Sequence, residues 1–493
     1  MTVDETEYSD VLIIGAGISG IGAAYRIHEK NPKLSYTVLE RRQRIGGTWD
    51  LFRYPGIRSD SDIFTLSLPY EPWTRPENVA DGEHIREYLT DAAHNHGIAE
   101  HIRFNTHVLS ADWDSTTDTW TVQTEQEGQT KAYRGRFVFF GTGYYNYDEP
   151  YTPEFPGIDQ FSGDVVHPQY WPESLDYAGK RVMVIGSGAT AVSMIPALAE
   201  KAGHVTMLQR SPTYMMSMAR IDPMVQAIRK VLPRRIAHSV VRFRNAFIHV
   251  LMYFVARKAP RFSKWLIRSG AKRNLPEGYP VDVHFKPRYN PWDQRLCLIL
   301  SNDVYNEIRE GRLEVVTDHI DHFDAKGVVL RSGERIDADV IVTATGLQLQ
   351  ALGGIALSID GAEIKPTERF VYKEFLLEDV PNVAWCIGYT NASWTLRADM
   401  TARAVAKLLA YMDSRGYTHA YPHLGDKPMP EKPTFDLQSG YVQRALHALP
   451  KSGTHRPWNV RHNYVLDVID HRFDRIEESM VFGRVEAKEA TSA

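Results

Sequence analysis

The sequence predicts an α/β protein built on two open parallel sheets, with a helical segment inserted into the second of the two units. Short runs of β-branched and other apolar residues lead twice into glycine-rich turns, each of which opens a helical pattern, and these predict the sheets. Apolar residues at helical spacing between residues 213 and 290 predict the insert. The chain of 493 residues is long enough for two or three domains with sizeable cores.

The composition is that of an ordinary globular protein. Charged residues make up 24% of the chain, and the net charge of -4 provides no overall attraction for nucleic acid. Its two cysteines, Cys297 and Cys386, form neither a disulfide framework nor a cysteine metal site, so no metal is expected. An acidic N-terminus that leads straight into a strand argues against a signal peptide, and no uncharged apolar run reaches the roughly 18 residues of a spanning helix. We therefore expect a cytoplasmic protein.

A first dinucleotide site is predicted at the N-terminal strand. Residues 11–14 form an apolar run typical of a strand buried on both faces. Gly15 and Gly17 then permit a tight turn and a close backbone approach to a pyrophosphate, and Gly20 lets the helix pack against the strand. The next strand ends at Glu40, where a carboxylate would bind the ribose hydroxyls.

The segment after this site is predicted to line a flavin ring. Irregular backbone at Gly46-Gly47 and Pro55-Gly56 alternates with aromatic and charged side chains. A long surface loop rich in Gly and Pro is the alternative. The residues predicted to bind the first cofactor are Gly15, Gly17, Ser19, Gly20, Glu40, Gly47, Thr48, Trp49, Tyr54, Arg58, Ser59, Asp60 and Val108.

A second dinucleotide site is predicted after the strand at residues 181–185. The strand that follows its glycines ends in Arg210 and Ser211 rather than in an acid, which suits the 2'-phosphate of NADP better than the free hydroxyl of NAD. A solvated charge at a strand end is the alternative for Arg210. The pattern indicates FAD at the first site and NADPH at the second. The residues predicted at the second site are Gly186, Ser187, Gly188, Ala189, Thr190, Ala191, Arg210 and Ser211.

The stretch that joins the two sites, residues 161–172, is interpreted as an interdomain hinge. A protein that binds two dinucleotides usually passes electrons between them, so the connecting segment must keep both sites in register while something moves. A surface loop with a chance arrangement of Gly, His and Trp is the alternative.

The insert is basic and has no acidic residue between Pro223 and Leu275. Apolar residues recur at helical spacing between its basic ones. One interpretation is a basic amphipathic region, residues 224–275, that touches an anionic membrane surface or covers an apolar substrate pocket. The other is a helical subdomain that packs on the rest of the protein and has a solvated basic face.

These patterns predict three units. The FAD-binding domain is expected at residues 1–150 and 376–493, the NADPH-binding domain at 151–212 and 291–375, and the helical insert at 213–290. The C-terminal end, rich in Pro and His, is expected to be irregular and to wrap the first domain.

The joining stretch also carries a family fingerprint. The pattern Phe-x-Gly-x-x-x-His-x-x-x-Trp-Pro/Asp is typical of Baeyer-Villiger monooxygenases, which are class B flavoprotein monooxygenases, and this sequence resembles that family. The segments RYPGIRSDSD, GYYNYDE, VIGSGATAV, MLQRSPTY, YNPWDQRLCL and GYTNASWTL are most similar to the mycobacterial ethionamide-activating subgroup. Related N-oxygenating flavoproteins have Tyr or Phe in place of the fingerprint Trp. The fingerprint positions are filled by Phe161, Gly163, His167, Trp171 and Pro172.

The resemblance implies two Rossmann-like domains that carry FAD and NADPH. It also implies that Arg295 is the active-site arginine and that Asp60 is its carboxylate neighbour near the flavin. The sequence departs from many family members at Gln294, where a lysine helps to hold the NADP phosphate. Strong NADPH affinity is therefore in question, although the preference for NADP is not.

The activity that the resemblance implies is an NADPH- and O2-dependent monooxygenation of small molecules. A C4a-peroxyflavin stabilised by Arg295 would insert one oxygen atom into ketones, giving esters or lactones, and would oxidise thioethers to sulfoxides. Two alternatives are an N- or S-oxygenating flavin monooxygenase and a pyridine-nucleotide-dependent electron-transfer reductase. The sequence lacks the Cys-x-x-Cys pair that is expected of such a reductase.

Overall fold

The computed structural model describes residues 6–426, 428–435 and 437–485. Two five-stranded parallel sheets lie at its centre, a six-stranded mixed sheet accompanies the first, and helices cover the sheets. This is the α/β architecture with two Rossmann-like units and a helical insert that the sequence predicts.

The helices occur in every part of the chain. They are α1 (Ile18–Lys30), α2 (Thr48–Leu51), α3 (Ile63–Leu66), α4 (Gly82–Asn95), α5 (Ala189–Ala199), α6 (Pro223–Val231), α7 (Arg234–Lys258), α8 (Pro260–Asn274), α9 (Val281–His284), α10 (Asp303–Arg309), α11 (Trp394–Arg415), α12 (Gly440–Ala445) and α13 (Tyr464–Phe473).

The strands of the first half are β1 (Glu7–Tyr8), β2 (Val11–Ile14), β3 (Tyr36–Leu39), β4 (Ile102–Arg103), β5 (Thr106–Asp114), β6 (Thr119–Gln126), β7 (Gln129–Gly135), β8 (Phe137–Phe140), β9 (Asp164–Val166), β10 (Arg181–Ile185), β11 (His204–Gln209) and β12 (Met215–Met218). Those of the second half are β13 (Cys297–Leu300), β14 (Leu313–Thr317), β15 (Ile320–Asp324), β16 (Gly327–Leu330), β17 (Arg335–Asp337), β18 (Val340–Thr343), β19 (Ala356–Ile359), β20 (Ala362–Ile364), β21 (Val371–Tyr372), β22 (Leu376–Leu377), β23 (Val383–Trp385), β24 (His419–Pro422), β25 (Glu431–Lys432), β26 (Ser452–Gly453) and β27 (Met480–Gly483).

The first parallel sheet has the spatial order β4-β3-β2-β8-β23. Its central strand β2 is completely apolar and buried, because α1 and α11 cover one face and the mixed sheet lies on the other side. Strand order reverses between β2 and β8, and ligands of open α/β sheets bind beyond the carboxyl ends of the strands at such a point.

The second parallel sheet has the order β14-β11-β10-β18-β9 and repeats this arrangement. Its strands β10, β11 and β18 are short and largely buried, and α5 follows β10 as α1 follows β2. The order reverses between β10 and β18. Part of the joining stretch, residues 164–166, forms the edge strand β9 and pairs with β18.

The mixed sheet has the order β1-β7-β6-β5-β19-β20. Strand β19 comes late in the chain, yet it pairs in parallel with β5, with Ala356 opposite Ser110. The boundaries of the three units stay a prediction. The pairing of β19 with β5 favours a return of the chain to the first unit before residue 375, where the predicted second unit ends.

The insert is largely helical, as the periodicity predicts. Helix α7 is the longest described helix, at 25 residues, and it contacts α3, α6 and α8. None of the helices in the described ranges is long and apolar enough to cross a membrane.

The expectation of an irregular C-terminal end is wrong in part. The chain forms α12 and α13 there, and β27 pairs with β24. The apolar side chains of α13 are mostly exposed. The sequence therefore shows no apolar face directed at the core, which is the pattern that predicts a helix.

Candidate functional site

One cavity of about 800 Å³ lies where the carboxyl ends of the two parallel sheets face each other. It is lined from the first sheet by the ends of β2, β3 and β8, and from the second by the ends of β10, β11 and β18. Both points at which strand order reverses therefore open into the same space, where two dinucleotides could meet.

The first cradle is formed by the turn between β2 and α1. A Cβ built on Gly20 would lie 1.8 Å from the carbonyl oxygen of Gly15, so only glycine lets this helix pack so closely on the strand end. Gly17 and Gly47 approach each other backbone to backbone, with a Cβ on Gly17 3.5 Å from the Gly47 Cα. The cavity therefore meets bare backbone at the N-terminus of a helix, which suits a pyrophosphate.

Glu40 lies at the end of β3 on the cavity wall and is buried. Its Oε2 accepts a hydrogen bond from the backbone N–H of Ala16 at 2.6 Å, and its Oε1 accepts one from the N–H of Arg42 at 2.8 Å. Burial raises the pKa of this carboxyl, and the two backbone donors oppose that rise. The carboxylate is thus held firmly where ribose hydroxyls would lie.

The loop at residues 53–60 lines the cavity and also reaches the second sheet unit. The Tyr54 hydroxyl lies 3.3 Å from the Ser193 Oγ in α5, and Arg58 Nη1 donates to the Asp303 carboxylate in α10 at 2.7 Å. The predicted cofactor residues of this loop therefore also join the two units.

Arg295 and Asp60 form an ion pair inside the cavity, with 2.6 Å between Nη2 and Oδ2. They come from segments 235 residues apart in the numbering, and the fold brings them together. Burial lowers the pKa of Arg295, and the Asp60 carboxylate is the chief of several groups that together raise that pKa well above its usual range. The guanidinium is therefore a permanent positive charge at the cavity wall.

An aromatic wall surrounds this pair, and most of its residues were not predicted from the sequence. The Tyr144 ring stacks on Trp394 with centroids 4.9 Å apart, and its hydroxyl lies 3.3 Å from that of Tyr145. The indole N–H of Trp394 donates to Ser19 Oγ at 2.8 Å. The Tyr-Tyr pair directly after Gly141–Gly143 could have indicated part of this wall, since that glycine turn lines the cavity. The aromatic wall comprises Tyr144, Tyr145, Tyr389, Trp394 and Tyr441.

The second cradle repeats the first at β10 and α5. A Cβ on Gly186 would lie 2.3 Å from the Ala344 carbonyl oxygen, and its φ is 128°. Ser187 Oγ lies 2.8 Å from Thr213 Oγ1. Gln209, the last residue of β11, is buried and bonds to the protein. Arg210, which follows it, is exposed on the cavity wall, as a phosphate ligand would require.

Most of the residues predicted from the glycine patterns line this one cavity. Gly20 and Ala191 do not, since Gly20 packs against the strand end and Ala191 is buried in α5. The residues that line it are Gly15, Gly17, Ser19, Glu40, Gly47, Thr48, Trp49, Tyr54, Arg58, Ser59, Asp60, Val108, Gly186, Ser187, Gly188, Ala189, Thr190, Arg210, Ser211, Gln294 and Arg295.

The fingerprint residues lie beside the cavity rather than on its wall. Phe161 is buried against β10 and β18, and a Cβ on Gly163 would lie 2.3 Å from the Asp339 carbonyl oxygen. His167 Nδ1 accepts a hydrogen bond from the Gln169 N–H at 3.1 Å, and Trp171 packs against the core of the second sheet. Pro172 is exposed. Their role as a hinge stays a prediction.

Neither cysteine has an activated thiol. Both are free and buried, and burial raises the pKa of each thiol to about 12. Cys297 lies on the cavity wall but is protonated at neutral pH. In the described ranges, no cluster of His, Cys, Asp and Glu could hold a metal ion.

Comparison with known proteins identifies the family. A family model described as flavin-binding monooxygenase-like matches residues 68–352, and one for an NAD(P)-binding Rossmann-like domain matches residues 13–75. The FAD-containing monooxygenase EthA of Mycolicibacterium smegmatis is 48% identical over 491 residues, which cover 99% of this chain and 100% of that protein. EthA of Mycobacterium tuberculosis is 47% identical over 474 residues, 96% of this chain and 97% of that protein.

Solved structures share the fold. A steroid monooxygenase bound to NADP superposes with a TM-score of 0.76 at 22% identity, over 97% of this chain and 100% of that one. A cyclohexanone monooxygenase with bound ε-caprolactone superposes with a TM-score of 0.73 at 20% identity, with the same coverage of both chains.

Proposed function

The chain belongs to the flavin-binding monooxygenase-like family, and from this premise we propose that it converts ketones to esters or lactones and thioethers to sulfoxides. The observation that carries the proposal is the Arg295–Asp60 ion pair in a cavity shared by both nucleotide cradles. The substrates are small molecules, O2 and NADPH.

The residues present fit FAD at the first cradle and NADP at the second. Bare glycine backbone at two helix N-termini suits two pyrophosphates, and Glu40 suits the ribose of FAD. Arg210 suits the 2'-phosphate of NADP. The EthA relatives are FAD-containing monooxygenases, and the similar steroid monooxygenase structure is bound to NADP, which supports this assignment. When bound, FAD reduced by NADPH supplies the chemistry that activates O2.

Arg295 acts through its charge. A guanidinium cannot lose its proton near neutral pH, so it stabilises negative charge on oxygen without supplying a proton that would divert the reaction to hydrogen peroxide. Asp60 positions it through the 2.6 Å contact and contributes most among the groups that raise its pKa. The same guanidinium would stabilise the oxyanion that forms when a ketone carbonyl is attacked.

The aromatic wall provides the apolar environment. Tyr144, Tyr145 and Tyr441 lie near Arg295, and burial raises the pKa values of Tyr145 and Tyr441. The phenols of Tyr145 and Tyr441 stay neutral, and the side chains of the ion pair are only 28% and 34% exposed, which strengthens the electrostatic effect of the pair. An apolar wall with one fixed positive charge matches a ketone or thioether, which are uncharged substrates.

The test compares Arg295→Ala and Arg295→Lys with the parent enzyme. Each variant is purified with its flavin content measured, and ester formation, NADPH oxidation and hydrogen peroxide release are then followed with a ketone. We expect Arg295→Ala to retain flavin and to lose ester formation by at least about a hundredfold, because one charged stabilising contact is removed. Arg295→Lys should keep the charge but lose the planar fork, and it should recover a part of the activity.

Ester formation at the parent rate in Arg295→Ala would contradict the proposal. So would a parent enzyme that oxidises NADPH, releases hydrogen peroxide with every ketone and thioether tried, and forms neither ester nor sulfoxide. That second outcome would favour an electron-transfer reductase.

A further inference from the structure

Helix α7 presents a continuous apolar stripe to solvent. Six apolar side chains recur at intervals of three or four residues, so they fall on one side of the helix and extend over about 27 Å at 1.5 Å per residue. Phe243 at the centre is 74% exposed, and large exposed aromatic side chains on one face are uncommon in proteins that do not use them for contact. The stripe consists of Ile236, Val240, Phe243, Phe247, Leu251 and Phe254.

Two neighbouring helices also leave apolar side chains exposed. In α8 the rings of Phe262 and Trp265 stack with centroids 5.9 Å apart, and both are more than half exposed. Tyr464, at the start of α13, packs against the cluster that contains Ala246 of α7. Helix α13 in turn leaves Val465, Leu466, Val468, Ile469 and Phe473 exposed.

The opposite face of α7 is fixed to the protein, so the stripe cannot turn inward. Arg242 Nη1 donates to the backbone carbonyls of residues 64, 65 and 67 at 2.7–3.1 Å. Asn245 Nδ2 donates to Asp62 Oδ1 at 2.8 Å. Arg257, at the C-terminal end beside the stripe, pairs with Asp293 at 2.7 Å. These contacts also attach α7 to the two segments that carry Asp60 and Arg295.

The surface around the stripe is positively charged. Residues 223–275 contain no acid, and four of their basic side chains pair with acids elsewhere, namely Arg234, Arg244, Arg257 and Arg268. Arg229 and Arg242 bond to backbone carbonyls. Within the part of the chain that the structure describes, no ion pair forms at the remaining basic residues, which are Lys230, Arg235, Lys258, Arg261, Lys264, Lys272 and Arg273.

From this arrangement we propose that α7 and α8 dock the enzyme on a membrane surface that contains anionic lipids. The apolar stripe enters the boundary between headgroups and acyl chains, and the basic side chains beside it bind the lipid phosphates. Trp265 lies among these basic residues, as interfacial tryptophans do. The docking concerns the whole protein and does not depend on which substrate the enzyme oxidises.

The positive charge of this surface favours an anionic membrane, rather than a second copy of the chain, as its partner. A symmetric dimer through the stripe would bring the same seven basic side chains of each copy together, and no acid between residues 223 and 275 would compensate them. An anionic bilayer supplies the missing negative charge.

The experiment is co-sedimentation of the full-length holoenzyme with vesicles of phosphatidylcholine, with or without phosphatidylglycerol, at low and high salt. We expect binding that requires phosphatidylglycerol and weakens with salt. The double variant Phe243→Ser/Phe247→Ser should bind at least about tenfold more weakly, because two exposed apolar side chains no longer enter the bilayer. The triple variant Lys258→Gln/Arg261→Gln/Lys264→Gln should bind about a hundredfold more weakly, at about fivefold for each charge.

The matched control is Tyr8→Ser, which removes an exposed aromatic side chain outside the insert and should leave vesicle binding unchanged. All the changed side chains are solvent-exposed or half-buried on the surface, so flavin content and substrate-dependent NADPH oxidation should stay at the parent level in every variant. Light scattering after size-exclusion chromatography measures the oligomeric state in parallel.

Three results would overturn the proposal. One is the absence of sedimentation with phosphatidylglycerol vesicles at low salt. Another is equal binding to vesicles with and without phosphatidylglycerol. The third is a dimer that Phe243→Ser/Phe247→Ser dissociates, together with no vesicle binding, which would assign the stripe to a contact between two copies.

Discussion

At the scale of single residues, the neighbours Gln294 and Arg295 lie in one cavity and differ in charge. Arg295 is held by Asp60, whereas Gln294 is half-buried and neutral. The cavity that would bind the phosphates of NADPH therefore receives less positive charge from this segment than a Lys-Arg pair would supply.

We predict that Gln294→Lys lowers KM for NADPH by about tenfold, since a hydrogen bond between charged groups replaces a neutral one. Steady-state NADPH oxidation at saturating substrate measures this change. The control is Gln294→Glu, which should raise KM for NADPH. A KM that does not respond to either charge would place Gln294 away from the cofactor phosphates.

His462 is a buried histidine whose protonation opposes folding. Its Nε2 donates to the Thr434 carbonyl oxygen at 2.9 Å, and burial together with the charge of Arg397 lowers its pKa to about 3 from 6.5. Between these two pH values the unfolded chain binds a proton that the folded chain excludes. The free energy of unfolding therefore falls as the pH falls through this window.

The expected slope from His462 is up to about 1.4 kcal/mol per pH unit. Urea unfolding at a series of pH values measures it, and His462→Gln, which keeps a donor for Thr434, should make the dependence shallower by that amount. The exposed His447 provides the control, and His447→Gln should leave the slope as it is. Equal slopes in His462→Gln and the parent protein would count against the assignment.

At the scale of elements, the turn between β2 and α1 decides whether the first cradle forms. Two glycines of α1 have different surroundings. A Cβ on Gly20 would lie 1.8 Å from the Gly15 carbonyl oxygen, whereas a Cβ on Gly22 would meet a Leu68 methyl at an ordinary 3.5 Å.

We predict that Gly20→Ala separates α1 from the strand end and costs about 3 kcal/mol of stability together with most of the bound flavin. Gly22→Ala should keep its flavin, because alanine favours the helix and its methyl group has space. Absorbance at the flavin band of the purified proteins and thermal unfolding compare the pair. Full flavin content in Gly20→Ala would show that the turn can relax.

At the scale of the whole molecule, the two sheet units are connected through the cavity wall. Arg58 from the first unit pairs with Asp303 of α10 in the second, and both side chains are largely buried. Asp303 also accepts backbone hydrogen bonds from residues 300 and 304 with its other oxygen.

Asp303→Asn keeps the local acceptor and removes the charge. We expect the free energy of unfolding to fall by about 2 kcal/mol, because the Arg58 charge is then buried without a counterion. The reference is Glu431→Gln, which breaks the exposed Lys451–Glu431 pair and should cost less than about 1 kcal/mol. Chemical denaturation of both variants tests this order, and equal losses would contradict it.

The sequence by itself determined the two parallel sheets, their glycine turns and the family. A buried parallel strand is a continuous apolar run, and a turn that approaches a phosphate tolerates only glycine at certain positions, so both leave local patterns in the chain. The fingerprint at residues 161–172 is equally local, although the sequence did not indicate that residues 164–166 form an edge strand.

Apart from the Asp60–Arg295 pair, which the family resemblance implies, only the tertiary structure decided which distant residues meet. Tyr144 and Trp394 stack on the cavity wall although no periodicity relates them. The return of β19 to the mixed sheet and the exposed side of α7 are likewise set by long-range packing. Local patterns record backbone conformation and burial, whereas contacts between segments depend on how the sheets pack, and no single stretch of sequence carries that information.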